Sequence, residues 1–458
     1  MTNQEYIHQH REDDVRRLAL KRVPDGIDLA WCLQQIEGWQ LARRKLPRWA
    51  ATDDVWFPPR LSMEQCSSEH TACYKQQLCQ RLVGDAIRPT FADLTGGFGI
   101  DFSYQASVFQ HATYVERSEA LCEIARHNLP LLGLPEAEVV CQTAEQWLDT
   151  CCVSQPCSLL FLDPARRDHV GRKVVALEDC TPNVVALQQQ LLSAARYVVV
   201  KLSPMLDIRQ ALRLLQGVVE VHVVSVMGEC KEVLLVMSSQ ACSHHIGLQR
   251  IFCVNLGTSD ASFSCSEEEW MQKAPLESGT LIGRSICEPN ASLLKAGVQD
   301  ILACQQGWTK LHPNSNLFVM SEGMHERQTS ALQDESLNPE PHVFTEPQVL
   351  CAGSLASSLP PCAGTFGRTF RVEVVCDFSK QGLRKVAEWV AGIEASAAPS
   401  PQKHKAKGAP LRANLAVRNF PGAVDDLRKR IRLHEGGDAY IFATTLSDER
   451  HVLLCCRK

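Results

Sequence analysis

The spacing of apolar and polar positions divides the chain into stretches of different period. Up to about Arg88 apolar residues recur at helical spacing, at Val15, Leu18 and Leu20, from Ile27 to Leu46, and from Tyr74 to Leu82, without strand-like alternation. Trp56-Phe-Pro-Pro-Arg60 interrupts this text, because two prolines remove backbone donors and fix φ. From Thr90 to Ser239 short β-rich runs alternate with longer helical ones. Strands are predicted at 91–94, 112–116, 137–141, 158–163, 197–203, 219–226 and 231–238. Such alternation implies a parallel sheet with helices on both faces. Only Met227 to Cys230 separate the last two strands, too short a link for a crossover helix, so these two form an antiparallel hairpin.

Residues 246 to about 366 form a mixed region of weaker periodicity that includes Glu288-Pro-Asn-Ala-Ser-Leu-Leu-Lys-Ala-Gly297 and the segment 311–319. From Thr369 the order β-α-β-α-β-β describes a small α+β module. Between its first helix and second strand, residues 395–410 are rich in Ala, Pro and Lys and read as a flexible basic insertion. The predicted boundaries are therefore 1–87 for a helical domain, 88–245 for the sheet domain, 246–366 for the mixed region and 367–458 for the last module.

A length of 458 residues agrees with several domains, and 45% hydrophobic with 22% charged residues suffices for buried cores. No run of 18 apolar residues occurs, and the first stretch mixes acids and bases where a signal peptide needs an apolar core. A soluble, cytoplasmic protein without a membrane partner is the expectation. The 21 cysteines then read as reduced thiols; none has CxxC spacing, and no metal site is expected. The net charge of −5 is uneven: from Lys403 onward twelve Lys/Arg face six Asp/Glu, a balance of +6, which leaves −11 for the rest.

The densest chemistry lies in Phe91-Ala-Asp-Leu-Thr-Gly-Gly-Phe-Gly-Ile-Asp101. A strand carries Asp93 near its end, the chain turns at Gly96, Gly97 and Gly99, and a helix opens at Asp101. Glycines let a ligand approach the backbone closely, and a helix N-terminus offers unpaired N–H groups to anionic atoms. Glu116 ends the second strand about 20 residues further on, the separation typical of an acid that binds ribose hydroxyls. A nicotinamide dehydrogenase would require GxGxxG, which Gly96-Gly97-Phe98-Gly99 does not supply.

With Asp163-Pro164 after the fourth strand and the terminal hairpin, these features resemble class I S-adenosylmethionine-dependent methyltransferases. Leu162-Asp-Pro-Ala-Arg-Arg-Asp168, Val200-Lys-Leu-Ser-Pro-Met-Leu-Asp-Ile208, the 288–297 motif and the C-terminal Val417-Arg-Asn-Phe-Pro421 with its following basic helix narrow the resemblance to a bacterial subgroup with a THUMP-like C-terminal domain. It implies an α/β fold: a Rossmann-like, doubly wound, seven-stranded sheet with an N-terminal helical domain and a C-terminal α+β, THUMP-like domain. For the region 246–366 a ferredoxin-like arrangement is one reading. It further implies S-adenosylmethionine as cosubstrate and RNA, tRNA or rRNA, as substrate. Asp93, Thr95, Gly96, Gly97, Phe98, Gly99 and Asp101 would serve the methionine end, Glu116 and Arg117 the ribose, and Ala144 and Glu145 the adenine. Thr143 beside them reads equally as a helix N-cap.

Asp163, Pro164, Arg166 and Lys201 are the catalytic candidates. Amino-directed methyltransferases carry [DN]-P-P-[FYW] at the fourth strand; here Asp163-Pro164-Ala165-Arg166 lacks the second proline and the aromatic. Asp163 can still orient a nucleophile or accept its proton. Arg166 either engages phosphate or belongs to a solvated loop, and Lys201 either takes part in chemistry or extends its ammonium to water. Arg418, Arg428, Lys429, Arg430 and Arg432 read either as a phosphate-tracking face or as a solvated one, since Val424, Leu427 and Ile431 supply the apolar stripe. An RNA-binding factor that only retains the cosubstrate pocket, and methylation of a protein or small molecule, are the rival functions.

Overall fold

In the computed structural model, residues 1–151, 156–165, 176–240, 247–258, 261–321, 365–396 and 411–458 are described. The chain divides into two compact units, Met1–Ile251 and Phe252–Lys458. The predicted helical segment thus shares one unit with the sheet. Its helices are α1 (Asn3–His10), α2 (Val15–Leu18), α3 (Leu29–Lys45), α4 (Pro47–Ala51), α5 (Arg60–Gln65) and α6 (Glu69–Val83).

The sheet follows as β1 (Thr90–Asp93), α7 (Ile100–Gln105), β2 (His111–Glu116), α8 (Glu119–Leu131), β3 (Glu138–Cys141), α9 (Ala144–Thr150) and β4 (Cys157–Leu162). It continues through α10 (Val184–Ala194), β5 (Ala195–Leu202), α11 (Ile208–Leu214), β6 (Val218–Val226) and β7 (Glu229–Ser238). These seven strands run in the order β3-β2-β1-β4-β5-β7-β6. β1 to β5 are parallel, and β7 is antiparallel to both neighbours. The predicted hairpin closes through Met227 and Gly228, both at positive φ, a backbone twist that matches the twist of the flanking strands. Between β1 and β4 the strand order reverses, and ligands of such sheets bind in the crevice beyond the strand ends at that point.

Leu159, Leu160, Phe161 and Leu162 of β4 are buried, which holds Asp163 at the strand's carboxyl end. The N-terminal helices pack on the glycine turn: Leu46, Trp49, Phe57 and Met63 share an apolar cluster with Phe98, Ile100 and Tyr104. Trp49 lies 4.7 Å from the Phe98 ring, and its indole N–H donates to the Ser103 hydroxyl at 3.2 Å.

β8 (Arg250–Leu256) carries the chain into the second unit, followed by β9 (Phe263–Ser266), β10 (Ser285–Pro289), α12 (Ala291–Ala296), α13 (Gln299–Gln306), β11 (Thr309–Lys310) and β12 (Phe318–Val319). The end module comprises β13 (Gly367–Asp377), α14 (Lys380–Ser396), β14 (Leu411–Arg412), β15 (Asn414–Arg418), α15 (Val424–Ile431), β16 (Leu433–His434), β17 (Tyr440–Thr445) and β18 (His451–Arg457). A seven-stranded sheet, β11-β12-β10-β13-β18-β17-β15, joins the mixed region to this module. α14 and α15 cover one face through Val386, Val390, Leu427 and Ile431. The pairing of β13 with β18 shifts register between Val372 and Val374, and Ile286, Val319, Phe442 and Leu454 share a second apolar cluster. Most of the predicted basic insertion, residues 397–410, lies outside the described residues. Among the described residues no helix is long and apolar enough to cross a membrane, and no group of His, Cys, Asp and Glu is arranged to hold a metal.

Candidate active site

A cleft of about 1040 Å³ opens at the carboxyl ends of β1, β2, β4 and β5, and Leu61, Ser62, Glu64, Gln65, Cys66 and Ser67, from α5 and the loop after it, form part of its wall. Its shape begins with β1. The Thr95 N–H donates to Asp93 Oδ1 at 2.9 Å, its hydroxyl lies 3.2 Å from the same oxygen, and the Asp163 N–H donates to Thr95 Oγ1 at 2.6 Å. Thr95 thereby fastens the end of β1 to the start of the loop after β4.

Gly96 must be glycine for space: a Cβ there would lie 2.2 Å from the Tyr114 ring. Gly97 and Gly99 have φ of +56° and +88°, where a side chain is strained. The Gly97 N–H donates to Glu116 Oε2 at 3.0 Å, and the Ser118 N–H donates to Oε1 at 2.9 Å. Each Glu116 oxygen therefore takes one backbone bond, which fixes the carboxylate at the cleft wall and leaves acceptor capacity on both oxygens. Asp93 is 1% exposed, and burial pushes its carboxyl up to about 8 against the opposing Thr95 amide, with Asp101 and Asp163 adding to the rise.

The predicted residues divide in the structure. Asp93, Thr95, Gly96, Gly97, Gly99, Glu116, Arg117, Ala144, Glu145, Asp163, Pro164 and Lys201 all line the cleft. Phe98 also borders it, but its side chain is 6% exposed and packs on Trp49 and Phe57, so its ring is a core group. Thr143 is the N-cap of α9, its side chain accepting from the Gln146 N–H at 3.3 Å, and it also lines the cleft. Arg166 lies outside the described residues.

Lys201 is not a surface lysine reaching for water. Its ammonium donates to Asp163 Oδ2 at 2.6 Å and to the Ser67 hydroxyl at 3.0 Å, and lies 3.3 Å from Asp101 Oδ2. Burial opposes the charge, but Asp163, Asp101 and Glu232 outweigh it and hold the Lys201 pKa well above the ordinary lysine value. Asp101 also lines the cleft, with its Oδ2 shared between Lys201 and the Ser67 hydroxyl. Its other oxygen, Oδ1, lies 3.2 Å from Lys75 Nζ. Burial raises the Asp101 carboxyl, yet the two ammoniums prevail and its net shift is downward.

Lys75, Ser67 and Glu232 were not among the sequence candidates. Lys75 lies on the buried face of α6 with Thr71, Leu78 and Cys79, and Glu232 interrupts an apolar strand. A charged residue at an apolar-face position was the available signal; the sequence does not pair them, because 157 positions separate the two.

In the second unit the basic residues also divide. The Arg418 guanidinium is committed: its Nε donates to Glu288 Oε1 at 2.6 Å and its Nη1 to the Val417 carbonyl at 2.8 Å. Glu288, 4% exposed, also accepts from Arg368 Nε at 3.1 Å. The 288–297 motif and Val417-Arg-Asn-Phe-Pro421 therefore meet in an internal ion pair. Nearby, Asn419 Nδ2 lies 2.8 Å from His312 Nδ1, which adds the 311–319 segment. Arg428 faces Glu435 at 3.3 Å and Asp425 at 3.7 Å. Lys429, Arg430 and Arg432 are exposed and form no ion pair among the described residues.

Comparison with known proteins supplies the class. A family described as THUMP domain-like matches residues 393–458, and one described as a ferredoxin-like domain matches 286–326. The crystal structure of a protein from Porphyromonas gingivalis W83, described as a methyltransferase, is 30% identical over 100% of this chain and 97% of its own, with a TM-score of 0.73. The chain belongs to this family of class I S-adenosylmethionine-dependent methyltransferases with a THUMP-like C-terminal domain. An S-adenosylmethionine-dependent methyltransferase from Agrobacterium tumefaciens is 16% identical, covering 37% of this chain and 62% of that one at a TM-score of 0.30. An rRNA methylase from Streptococcus thermophilus is 10% identical, covering 36% and 94% at 0.27. No curated protein matches the sequence.

The Arg418 geometry makes a testable distinction. Arg418→Ala leaves the buried Glu288 with one guanidinium instead of two, and should cost about 1.5–3 kcal/mol in denaturant unfolding of the second unit, the range for hydrogen bonds to charged groups. Unchanged stability with weakened RNA binding would return Arg418 to the phosphate-contacting set.

Proposed function

We propose that this protein transfers a methyl group from S-adenosylmethionine to RNA, tRNA or rRNA. The observation that carries this reading is the meeting of the glycine turn, Glu116 and the Lys201-bound Asp163 in one cleft at the strand-order reversal. The cleft fits the cosubstrate: it is large enough for a nucleoside with an amino-acid arm, and carries a carboxylate at the end of β2.

Bound there, S-adenosylmethionine would supply an electrophilic methyl on its sulfonium. Glu116 accepts from the ribose hydroxyls with the capacity its two backbone bonds leave over. Asp93 and the turn backbone around Gly96 to Gly99 receive the methionine end, where a cationic amino group favours the ionised form of Asp93. Arg117 borders the ribose, and Ala144 and Glu145 border the adenine. Asp163 stands on the acceptor side, where it orients the nucleophile and takes its proton, while Lys201 and Pro164 fix the carboxylate. Catalysis rests mainly on alignment of nucleophile and methyl.

RNA as the acceptor is supported by the THUMP-like match and by Lys429, Arg430 and Arg432, which are not committed to ion pairs among the described residues. Arg166 would join them as a phosphate contact. A cytoplasmic location accords with such a substrate.

Labelled methyl transfer to RNA from a strain lacking the protein tests the reading. Asp163→Ala should lower the rate about 10²–10⁴-fold, the span for a positioned proton-transfer group, while cosubstrate affinity changes by less than a few fold. Transfer to protein or metabolite pools alone would contradict RNA, and full activity of the variant would remove Asp163 from the chemistry. Neutralising Lys429, Arg430 and Arg432 together should flatten the slope of log RNA affinity against log salt by about 2 to 3 units. An unaltered slope in the folded variant would make them a merely solvated face.

A further inference from the structure

Two exposed apolar side chains stand at the β5 side of the cleft. α5 buries Met63 in the cluster with Trp49 and Phe57, and Lys45 Nζ fastens the helix by donating to the Met63 and Glu64 carbonyls at 2.9 and 3.0 Å. Leu61 lies two residues before Met63, about 200° around the helix, and so faces away from that cluster. It lines the cleft and is 55% exposed, whereas Leu94, Phe98, Ile100 and Phe161 of the same lining are buried. Ser67, after α5, accepts from Lys201 at 3.0 Å, which fastens this wall to β5. On the loop that leaves the carboxyl end of β5, the Met205 N–H donates to the Ser203 hydroxyl at 3.2 Å and the Leu206 N–H to the Ser203 carbonyl at 3.1 Å. The turn buries Leu206 and leaves Met205 79% exposed, four residues beyond Lys201.

The polar groups at this end of the cleft select what such surfaces receive. Asp163 Oδ2 is held by Lys201 at 2.6 Å, while Oδ1 has no hydrogen-bond partner among the described residues. A carboxylate accepts hydrogen bonds and donates none, so its counterpart must carry an N–H or O–H. The three N–H bonds of Lys201 are taken by Asp163, Ser67 and Asp101, which leaves no donor for a phosphate oxygen. Arg117, the other cation of the described lining, follows β2, and β1 separates that strand from β4 and Asp163. A phosphate is therefore unmatched at this end, whereas the flat apolar face and the N–H edge of a nucleobase match both kinds of surface. The fourth-strand motif lacks the aromatic that would stack on such a base.

We propose that Leu61 and Met205 form an acceptor clamp that receives one nucleobase of the RNA, turned out of its strand, with an N–H edge at Asp163 Oδ1. The inference rests on RNA as the substrate and adds which part of a nucleotide enters: the base, with its phosphates outside the cleft. An unbranched methionine adapts to the face of a ring, so the clamp supplies from α5 and the β5 loop the apolar contact that the fourth strand does not.

In full-length protein, the photo-crosslinker p-benzoylphenylalanine in place of Leu61 or Met205 is irradiated with RNA from a strain lacking the protein. Both positions should crosslink. The same replacement of Ile87, 93% exposed at the amino end of β1 and so at the opposite edge of the sheet, should not. In the methyl-transfer assay Leu61→Ala and Met205→Ala should each raise KM for RNA about tenfold, within the range for loss of a base contact, with S-adenosylmethionine affinity unchanged within about twofold. Digestion to nucleosides and fragmentation should place the label on the base. Label on the ribose, unchanged KM in both variants, or no crosslink in protein that methylates RNA would overturn the clamp and leave the proposed function standing. Crosslinks at both positions without methyl transfer would contradict the proposed function while preserving the clamp, and absence of both would overturn the two together.

Discussion

Asp101 stands between two buried ammonium groups, and the shape of the first unit depends on that arrangement. Lys75 belongs to an N-terminal helix, Lys201 to a central strand, and Asp101 to the helix that the glycine turn opens. Buried charges are costly unless each is paired, and removing one partner typically costs more than the pair contributes. The cluster ties α6, α7, β5 and β7 together at one point, beside the apolar packing of Trp49, Phe57 and Phe98. The N-terminal helices also form a wall of the cleft, and so are part of the site rather than an appendage.

The second unit uses the same physics for a different end. Glu288 is buried between Arg368 and Arg418, and this ion pair links β10 to β13 and β15 of the second sheet. Segments matched by two separate family descriptions are thereby held in one folded unit. The basic balance of the C-terminal stretch is in part internal: of the five predicted phosphate contacts, Arg418 and Arg428 face carboxylates, while Lys429, Arg430 and Arg432 are exposed.

Local signals made much of this legible in the sequence. The seven strands of the first sheet, the hairpin at Met227 and Gly228 and the order of the end module follow from periodicity and link length. Asp93, Glu116 and Asp163 follow from their places at strand ends, since parallel strands present their carboxyl ends at one edge. Long-range partnerships were not legible. Nothing local to Lys75 announces Glu232, and nothing in Val417-Arg-Asn-Phe-Pro421 announces Glu288, because pairing across more than a hundred residues leaves no periodic trace. Phe98 shows the related limit: within a glycine turn, sequence does not tell a ring facing the ligand from one turned into the core. The register shift in β13 between Val372 and Val374 involves neither Gly nor Pro, so it too had no local signal.

S-adenosylmethionine binding in the cleft, as proposed, would carry a distinctive signature at Asp93. A buried carboxyl raised to about 8 is mostly protonated at neutral pH, and a bound cation favours its ionised form. Binding should then release a proton, and affinity should rise as pH increases toward 8. Calorimetric titration of S-adenosylmethionine at pH 7 in two buffers of different ionisation enthalpy measures this directly. The expected result is binding with net proton release that disappears in Asp93→Asn. Absence of binding, or tighter binding of a nicotinamide dinucleotide, would contradict it.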